Sequence, residues 1–201
     1  QIAFGYLMIP RSQSEQSTTS GAVMLKGVGG SGKSLMLKIL RALFGGDEEL
    51  SCNITGADLT SDTGLHDLPG KRFIFIEELD AVFNSLAQTR FKALVTNESV
   101  TRVQKYEPTI SKVWNVKLVC TCNDVIRTYS GDSGDALQSR LYYFNFPNAF
   151  RGTELEDPTL LHTITTEELP IVLKWLSIGV RAYLREGKLI TPASSKSVVT
   201  E

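Results

Sequence analysis

Gly27-Val28-Gly29-Gly30-Ser31-Gly32-Lys33-Ser34 fits the phosphate-loop pattern G-x-x-x-x-G-K-[ST] at every position. Its glycines let the backbone turn into a concave nest of N–H groups around phosphate. Lys33 has the length to reach β- and γ-phosphates, and the Ser34 hydroxyl can ligate Mg²⁺. The pattern needs a strand before it and a helix after it. Ala22-Val23-Met24-Leu25-Lys26 is an apolar run suited to a buried strand. Ser34 to Phe44 reads as a helix, closed by Gly45-Gly46. The N-terminus of that helix favours negative charge where the phosphates of ATP would lie.

A phosphate loop alone fits kinases, GTPases and motors equally. The discriminating stretch is Phe73-Ile74-Phe75-Ile76-Glu77-Glu78, a β-favouring apolar run followed by two acids. Such a strand delivers both carboxylates to its C-terminal end, where ligands bind in open α/β sheets. Glu77 can hold Mg²⁺ through water, and Glu78 can polarise an attacking water. A nucleotide hydrolase needs that pair and a simple nucleotide binder does not. Two weaker signals follow. Val116 to Cys122 reads as a strand ending at Asn123, which can orient the lytic water or contact the γ-phosphate. Arg140, in Leu137-Gln138-Ser139-Arg140, precedes an aromatic strand over Tyr142 to Phe146 and can reach a neighbouring subunit's γ-phosphate. Asn at a strand end is otherwise a turn residue, and an Arg there otherwise a salt-bridged surface group.

Strands alternating with helices predict an α/β fold with a largely parallel sheet. Leu50 to Ile54 reads as a further strand and Thr89 to Val95 as a helix. Ile2 to Ile9 reads as the end of a helix stopped by Pro10, and Ser12 to Ser20 as a polar loop. Leu169 to Glu186 reads as a C-terminal helix with Pro170 in its first turn and Gly187 at its close. In it Val172, Trp175, Leu176, Gly179, Val180, Tyr183 and Leu184 form one apolar stripe expected to pack. These signals divide the chain into 1–20, an N-terminal helix end and loop; 21–150, the nucleotide-binding core; and 151–201, a helical segment and a loose tail after Pro192.

The 201 residues suit one domain with a small appendage. No apolar run is long enough to span a bilayer. The chain opens on Gln1 rather than Met, so it is expected to be a piece of a longer protein with a further domain upstream. Cys52, Cys120 and Cys122 are sparse, as suits a reducing, intracellular setting. Cys120 and Cys122 alternate to one face of a strand, either as a redox or metal pair or as two small buried groups. A net charge of −1 argues against a surface that coats nucleic acid. It leaves room for a ring whose symmetry multiplies a few basic groups around a pore.

Taken in order, the phosphate loop, paired acids, strand ending in Asn and Leu137-Gln138-Ser139-Arg140 before an aromatic strand resemble the superfamily 3 helicases. These are ring-forming AAA+ motors of DNA viruses, phages and mobile elements. Gly5-Tyr6 and Leu169 to Gly179 resemble segments of poxvirus-type and phage-type primase–helicases. The resemblance covers nearly the whole chain, with the middle motifs more specific than the ends.

The resemblance implies an AAA+-like P-loop core with a C-terminal helix, an ATP- and Mg²⁺-dependent motor and a homohexameric ring. It implies that Lys33 and Ser34 bind nucleotide and that Ser34 and Glu77 lie on the metal side. Glu78 would be the catalytic acid, Asn123 the sensor and Arg140 the finger acting in trans, with Arg127 its competitor. It also implies a hairpin between the paired acids and the sensor strand. Val100 to Pro108 has the place and alternation for it, with Lys105 at the tip to grip single-stranded DNA or RNA, and Tyr106 beside it. The viral members usually carry Lys-His there, so Tyr106 departs from the pattern. An upstream primase or origin-binding domain and a site of DNA replication inside the cell are implied as well. The rival expectations are an AAA+ ATPase that loads or remodels proteins, and a non-catalytic nucleotide-binding scaffold. Nucleic-acid-stimulated hydrolysis separates the first of these from a helicase.

Overall fold

Apolar runs without polar alternation are characteristic of strands covered on both faces, and here they pair into a sheet. In the computed structural model, residues 1–11, 20–44, 50–79, 85–103, 106–127 and 136–189 are described. The chain runs α1 (Ile2–Met8), β1 (Ala22–Gly27), α2 (Lys33–Leu43), β2 (Ser51–Ile54), β3 (Phe73–Ile76), α3 (Ser85–Thr96), β4 (Ser99–Arg102), β5 (Ile110–Val113), β6 (Lys117–Cys122) and β7 (Leu141–Phe146). It closes with α4 (Leu160–Thr163), a π-helical turn (Ile164–Glu168) and α5 (Leu169–Glu186). Most of the Ser12–Ser20 loop, the Gly45-Gly46 stop, Lys105 and the tail beyond Pro192 lie outside the described residues.

Among the described residues, five strands form one sheet in the order β2-β3-β6-β1-β7, and every pairing is parallel. The α/β fold expected from the sequence is the observed one. Side chains alternate between the two faces, as the two-residue repeat of a strand requires. Met24, Ile74, Ile76, Leu118 and Tyr143 point into a core completed by Phe91, Leu94 and Val95 of α3 and by Leu59, Leu65 and Leu68 of the segment between β2 and β3. Val23, Leu25, Phe73, Phe75, Val119 and Tyr142 point the other way, into a core completed by α1, α2 and α5.

Cys120 and Cys122 share one face, as their spacing predicts, and both sit in the α3-side core. Burial, with the Cys122 sulfur nearby, pushes the Cys120 thiol well up. Burial pushes Cys122 up to about 11 despite Lys26 and Lys33, with Asp124 adding to the rise. Both thiols are therefore protonated at neutral pH, so the pair serves as core filling rather than as a thiolate site.

The C-terminal helix has its expected bounds, with Pro170 in the first turn and Gly187 as its cap. Pro170 has no N–H to continue the ladder, and the chain just before it is π-helical. The packed stripe is narrower than its apolar pattern: Leu176, Gly179 and Tyr183 are buried, but Leu184 is 66% and Trp175 37% exposed. The reason is the single short helix covering it. α1 crosses α5 at Gly5 and Gly179, close enough that a Cβ on Gly5 would lie 2.1 Å from the Gly179 carbonyl carbon. A helix that near covers only the residues beside the crossing. Trp175 keeps one ring contact, with Phe4 at 5.7 Å, and Tyr6 packs on Tyr183 at 5.3 Å.

Gly179→Val should therefore force the two helices apart. A Cβ at Gly179 would lie 2.2 Å from the Gln1 carbonyl oxygen, and backbone cannot move aside as a side chain can. The expected loss is about 3 kcal/mol, or a Tm lower by roughly 6–12 °C for a chain of this size. Thermal melts of the two proteins measure it, and an unchanged Tm would show that the crossing carries no strain.

Candidate functional site

The parallel sheet brings the C-terminal ends of β1, β3 and β6 to one edge. Lys26 pairs with Cys122 and Ile76 with Cys120, so Gly27, Glu77 and Asn123 begin loops side by side. The phosphate loop turns at Gly30 and Gly32, with φ of +74° and +91°, values that a side chain disfavours. α2 then starts at Lys33. The Ser31 hydroxyl donates to the Val28 carbonyl at 2.7 Å and fastens the loop to itself. Lys33 is nearly buried. Its ammonium donates to the carbonyls of Gly27 at 2.5 Å and Val28 at 2.8 Å, and to the Asn123 Oδ1 at 3.3 Å. The loop and the end of β6, ninety residues apart, thus meet at one cation.

The two acids differ in how they are held. Glu77 pairs through Oε1 with the Arg41 guanidinium of α2 at 3.1 Å. Arg41 also donates to Asn53 Oδ1 in β2 and lies 5.2 Å above the Phe75 ring. Glu78 has a φ of +54°, a left-handed conformation unusual for a residue with a side chain. Thr121 maintains it. The buried Thr121 hydroxyl accepts the Glu78 N–H at 2.9 Å, and its carbonyl accepts the Leu79 N–H at 2.8 Å. Strain stored in this way is a frequent property of functional sites. The segment after Asn123 is pinned too, since the Ile126 N–H donates to the Tyr143 hydroxyl at 3.2 Å.

The structure thus brings together Gly27 to Ser34, Glu77, Glu78 and Asn123. Ser34 is exposed in the first turn of α2. Its hydroxyl and the two carboxylates are hard oxygen donors of the kind Mg²⁺ takes, one or two from protein and the rest from water and phosphate. No group of three or more His, Cys, Asp or Glu side chains converges on a point among the described residues.

Arg140 sits at the other edge. It precedes β7, whose first residue pairs with Ala22, and its carbonyl accepts the Ala22 N–H at 3.0 Å. Its guanidinium donates to the Ala136 carbonyl at 2.6 Å. β1 spans six residues, about 20 Å at roughly 3.3 Å per residue, which puts Arg140 out of reach of its own phosphate loop. Arg127 is exposed on the loop edge. β4 and β5 pair antiparallel from Ser99↔Val113 to Arg102↔Ile110, so the hairpin is present. Tyr106 projects fully into solvent with a φ of +67°, while Lys105 lies outside the described residues.

Three contributors carry no motif in the sequence. Arg41 and Thr121 are ordinary residues of a helix and a strand until the sheet sets them beside Glu77 and Glu78. Arg151 is the third. The N–H groups of Phe150 and Arg151 donate to the Gly30 carbonyl at 2.9 and 3.3 Å, which lays the chain after β7 against the phosphate loop.

No curated protein matches this chain. Two solved structures of the NrS-1 C-terminal region, both in apo form, share its fold: one at 20% identity with a TM-score of 0.69, the other at 18% with 0.68, each covering 99% of this chain. The chain spans 46% of those structures, less than half their length. The family described as "Family of unknown function (DUF5906)" matches residues 25–140, from β1 through Arg140. That is more than half of the 201 residues, and the chain belongs to this family.

Proposed function

We propose that this chain is the ATP-hydrolysing motor of a nucleic-acid helicase or translocase from a viral, phage or mobile-element replication protein, working as a hexameric ring. The observation that carries the reading is the Lys33–Asn123 contact at the mouth of the phosphate loop, with Glu77 and Glu78 just past the end of β3, the strand next to β6. A chain that only held a nucleotide would have no use for a strained, Thr-supported carboxylate beside the phosphate loop.

In this reading the loop N–H groups and the α2 N-terminus bind the phosphates. Lys33 exchanges its neutral carbonyl partners for phosphate oxygens, a change to stronger, charge-assisted hydrogen bonds. Ser34 and Glu77 would hold Mg²⁺, which would supply charge neutralisation at the phosphates. Glu78 accepts a proton from the lytic water and Asn123 orients that water. Arg140 is too far from its own loop to take part, so a finger role requires the loop of a neighbouring copy. The β4–β5 hairpin, with Lys105 and Tyr106, faces nucleic acid in the pore.

The overall test is whether single-stranded DNA stimulates hydrolysis by the purified chain and whether Lys33→Ala abolishes it. Hydrolysis that responds to protein clients but not to nucleic acid would favour a remodelling ATPase.

Glu78→Gln should retain ATP affinity and lose hydrolysis by roughly two to four orders of magnitude, as loss of a general base does. Thr121→Val keeps the shape of the strand but leaves the Glu78 N–H without its acceptor. It should lower kcat several-fold with little change in KM and only a small change in Tm. Steady-state kinetics and melts on the two variants decide this, and a Thr121→Val enzyme with unchanged kcat would remove Thr121 from the mechanism.

Lys33→Ala and Arg140→Ala should each be inactive alone. Mixed in one ring they should recover part of the activity, because a sound phosphate loop then meets a sound finger at some interfaces. An arginine finger is worth roughly 10³–10⁵ in rate in well-studied phosphoryl-transfer systems, so even partial recovery is measurable. No recovery in rings shown to be mixed would end the trans role of Arg140.

A further inference from the structure

The far edge of the sheet holds a second feature, which none of the site residues above explains. A cavity of about 430 Å³ opens beside the N-terminal ends of β3 and β6, where Phe73 pairs with Lys117, and beside the end of β5. Its charged lining consists of Arg11, Lys71, Arg72, Lys112 and Lys117, with no carboxylate among the described residues that line it. The chain as a whole has 21 basic and 22 acidic residues. The chain is near neutral, yet five of its cations line this one hollow, which makes it a favourable place for an anion.

The cations stand on fixed backbone. Lys117 is 2% and Arg11 8% exposed. The Arg11 guanidinium donates to the carbonyls of Val95 at 2.5 Å, Val116 at 2.6 Å and Leu94 at 3.0 Å. The Lys117 ammonium donates to the Tyr6 carbonyl and lies over the Tyr6 ring. These two form the floor and tie α1 to the sheet. Arg72 and Lys112 are exposed at the rim. The Arg72 N–H donates to the Leu50 carbonyl at 2.8 Å and its carbonyl accepts the Lys117 N–H at 2.8 Å. Lys112 pairs with Val100 in the hairpin and sits 4.5 Å over the Trp114 ring, whose N–H donates to the Val100 carbonyl at 2.8 Å. The rim cations are thus held by three elements, at the root of the same hairpin whose tip carries Tyr106.

We infer that this cavity is a second phosphate-binding site, separate from the phosphate loop, that takes the phosphodiester groups of a nucleic-acid strand running along the hairpin. The separation follows from the sheet. The cavity opens at the starts of parallel strands and the phosphate loop at their ends, so one bound nucleotide cannot serve both. The same chemistry would accept a free phosphate compound such as pyrophosphate. The assignment rests on the reading of this chain as nucleic-acid-binding only for the choice between those two sources.

The test uses Arg72→Gln/Lys112→Gln, which changes two exposed side chains outside the nucleotide site. Its Tm and its hydrolysis without nucleic acid should match the parent. Binding of a labelled oligothymidylate, measured by anisotropy over a salt series, should weaken about tenfold. The slope of log affinity against log salt should fall by about 1.4, since each lost single-strand phosphate contact contributes about 0.7. In parallel, pyrophosphate is titrated calorimetrically into Lys33→Ala protein with and without the two rim changes; the Lys33→Ala background removes the cation of the phosphate loop. Loss of oligonucleotide affinity and slope supports a strand-backbone site. Loss of pyrophosphate binding alone supports a phosphate site supplied by small molecules, even if the parent binds no oligonucleotide and the helicase reading fails. If the rim changes alter neither binding, the inference is overturned whether or not the parent hydrolyses ATP.

Discussion

Burial of the sheet on both faces is the constraint on which the rest of the structure depends. Every residue of β3 and β6 is buried, so the strands have no room for chemistry along their length, because a polar group there would need a partner within the core. Lys117 of β6 is one such group, and its ammonium is occupied by the Tyr6 carbonyl. Thr121 is another. It is a buried polar side chain whose hydroxyl is occupied by the Glu78 N–H. Exposed polar groups collect instead at the two edges, and parallel pairing makes those edges different. One gathers the ends of β1, β3 and β6 with a phosphate loop, two acids and an Asn. The other gathers strand starts, the root of the hairpin and five cations.

The polar groups of the candidate site satisfy one another. Lys33 bonds to its own loop and to Asn123, and Glu77 bonds to Arg41, which also reaches Asn53. This matters energetically, because an unsatisfied buried ammonium costs far more than a hydrogen bond contributes. It also means that ligand binding is an exchange of partners rather than a simple addition. Arg41 sits on the helix that begins at the phosphate loop and pairs with Glu77, so a shift of α2 would be felt directly at that carboxylate. Thr121 gives the neighbouring acid a different support, through backbone rather than side chain. The two carboxylates are therefore positioned independently.

Packing at the other pole of the fold is equally specific. α1 and α5 approach at Gly5 and Gly179, and together with α2 they close one core of the sheet. The segments at the two ends of the described chain are thereby joined to the core rather than appended to it. The buried Arg11 and Lys117 reinforce this seam through bonds to backbone carbonyls.

Much of this was legible in the residues themselves. The phosphate loop, the Phe73–Ile76 strand with its two acids, the parallel α/β sheet and the bounds of the C-terminal helix all follow from local pattern: glycines at set spacing, unbroken apolar runs, and Pro and Gly at helix ends. The pattern over-read the helix stripe, because periodicity records which residues are apolar and not how wide a neighbour will cover them. Arg41, Thr121 and Arg151 carry no local signal, since their importance comes from neighbours 36, 43 and 121 residues away. The basic cavity was illegible for the same reason: its five cations come from four stretches of chain and average out in a net charge of −1. Sequence by itself determined the elements and which side chains stand at each strand end, because those depend on residues near one another in the chain. Only the tertiary structure decided which ends meet and that Arg140 lies at the opposite end of β1 from its own loop, because strand order and register are set by the joint burial of distant segments.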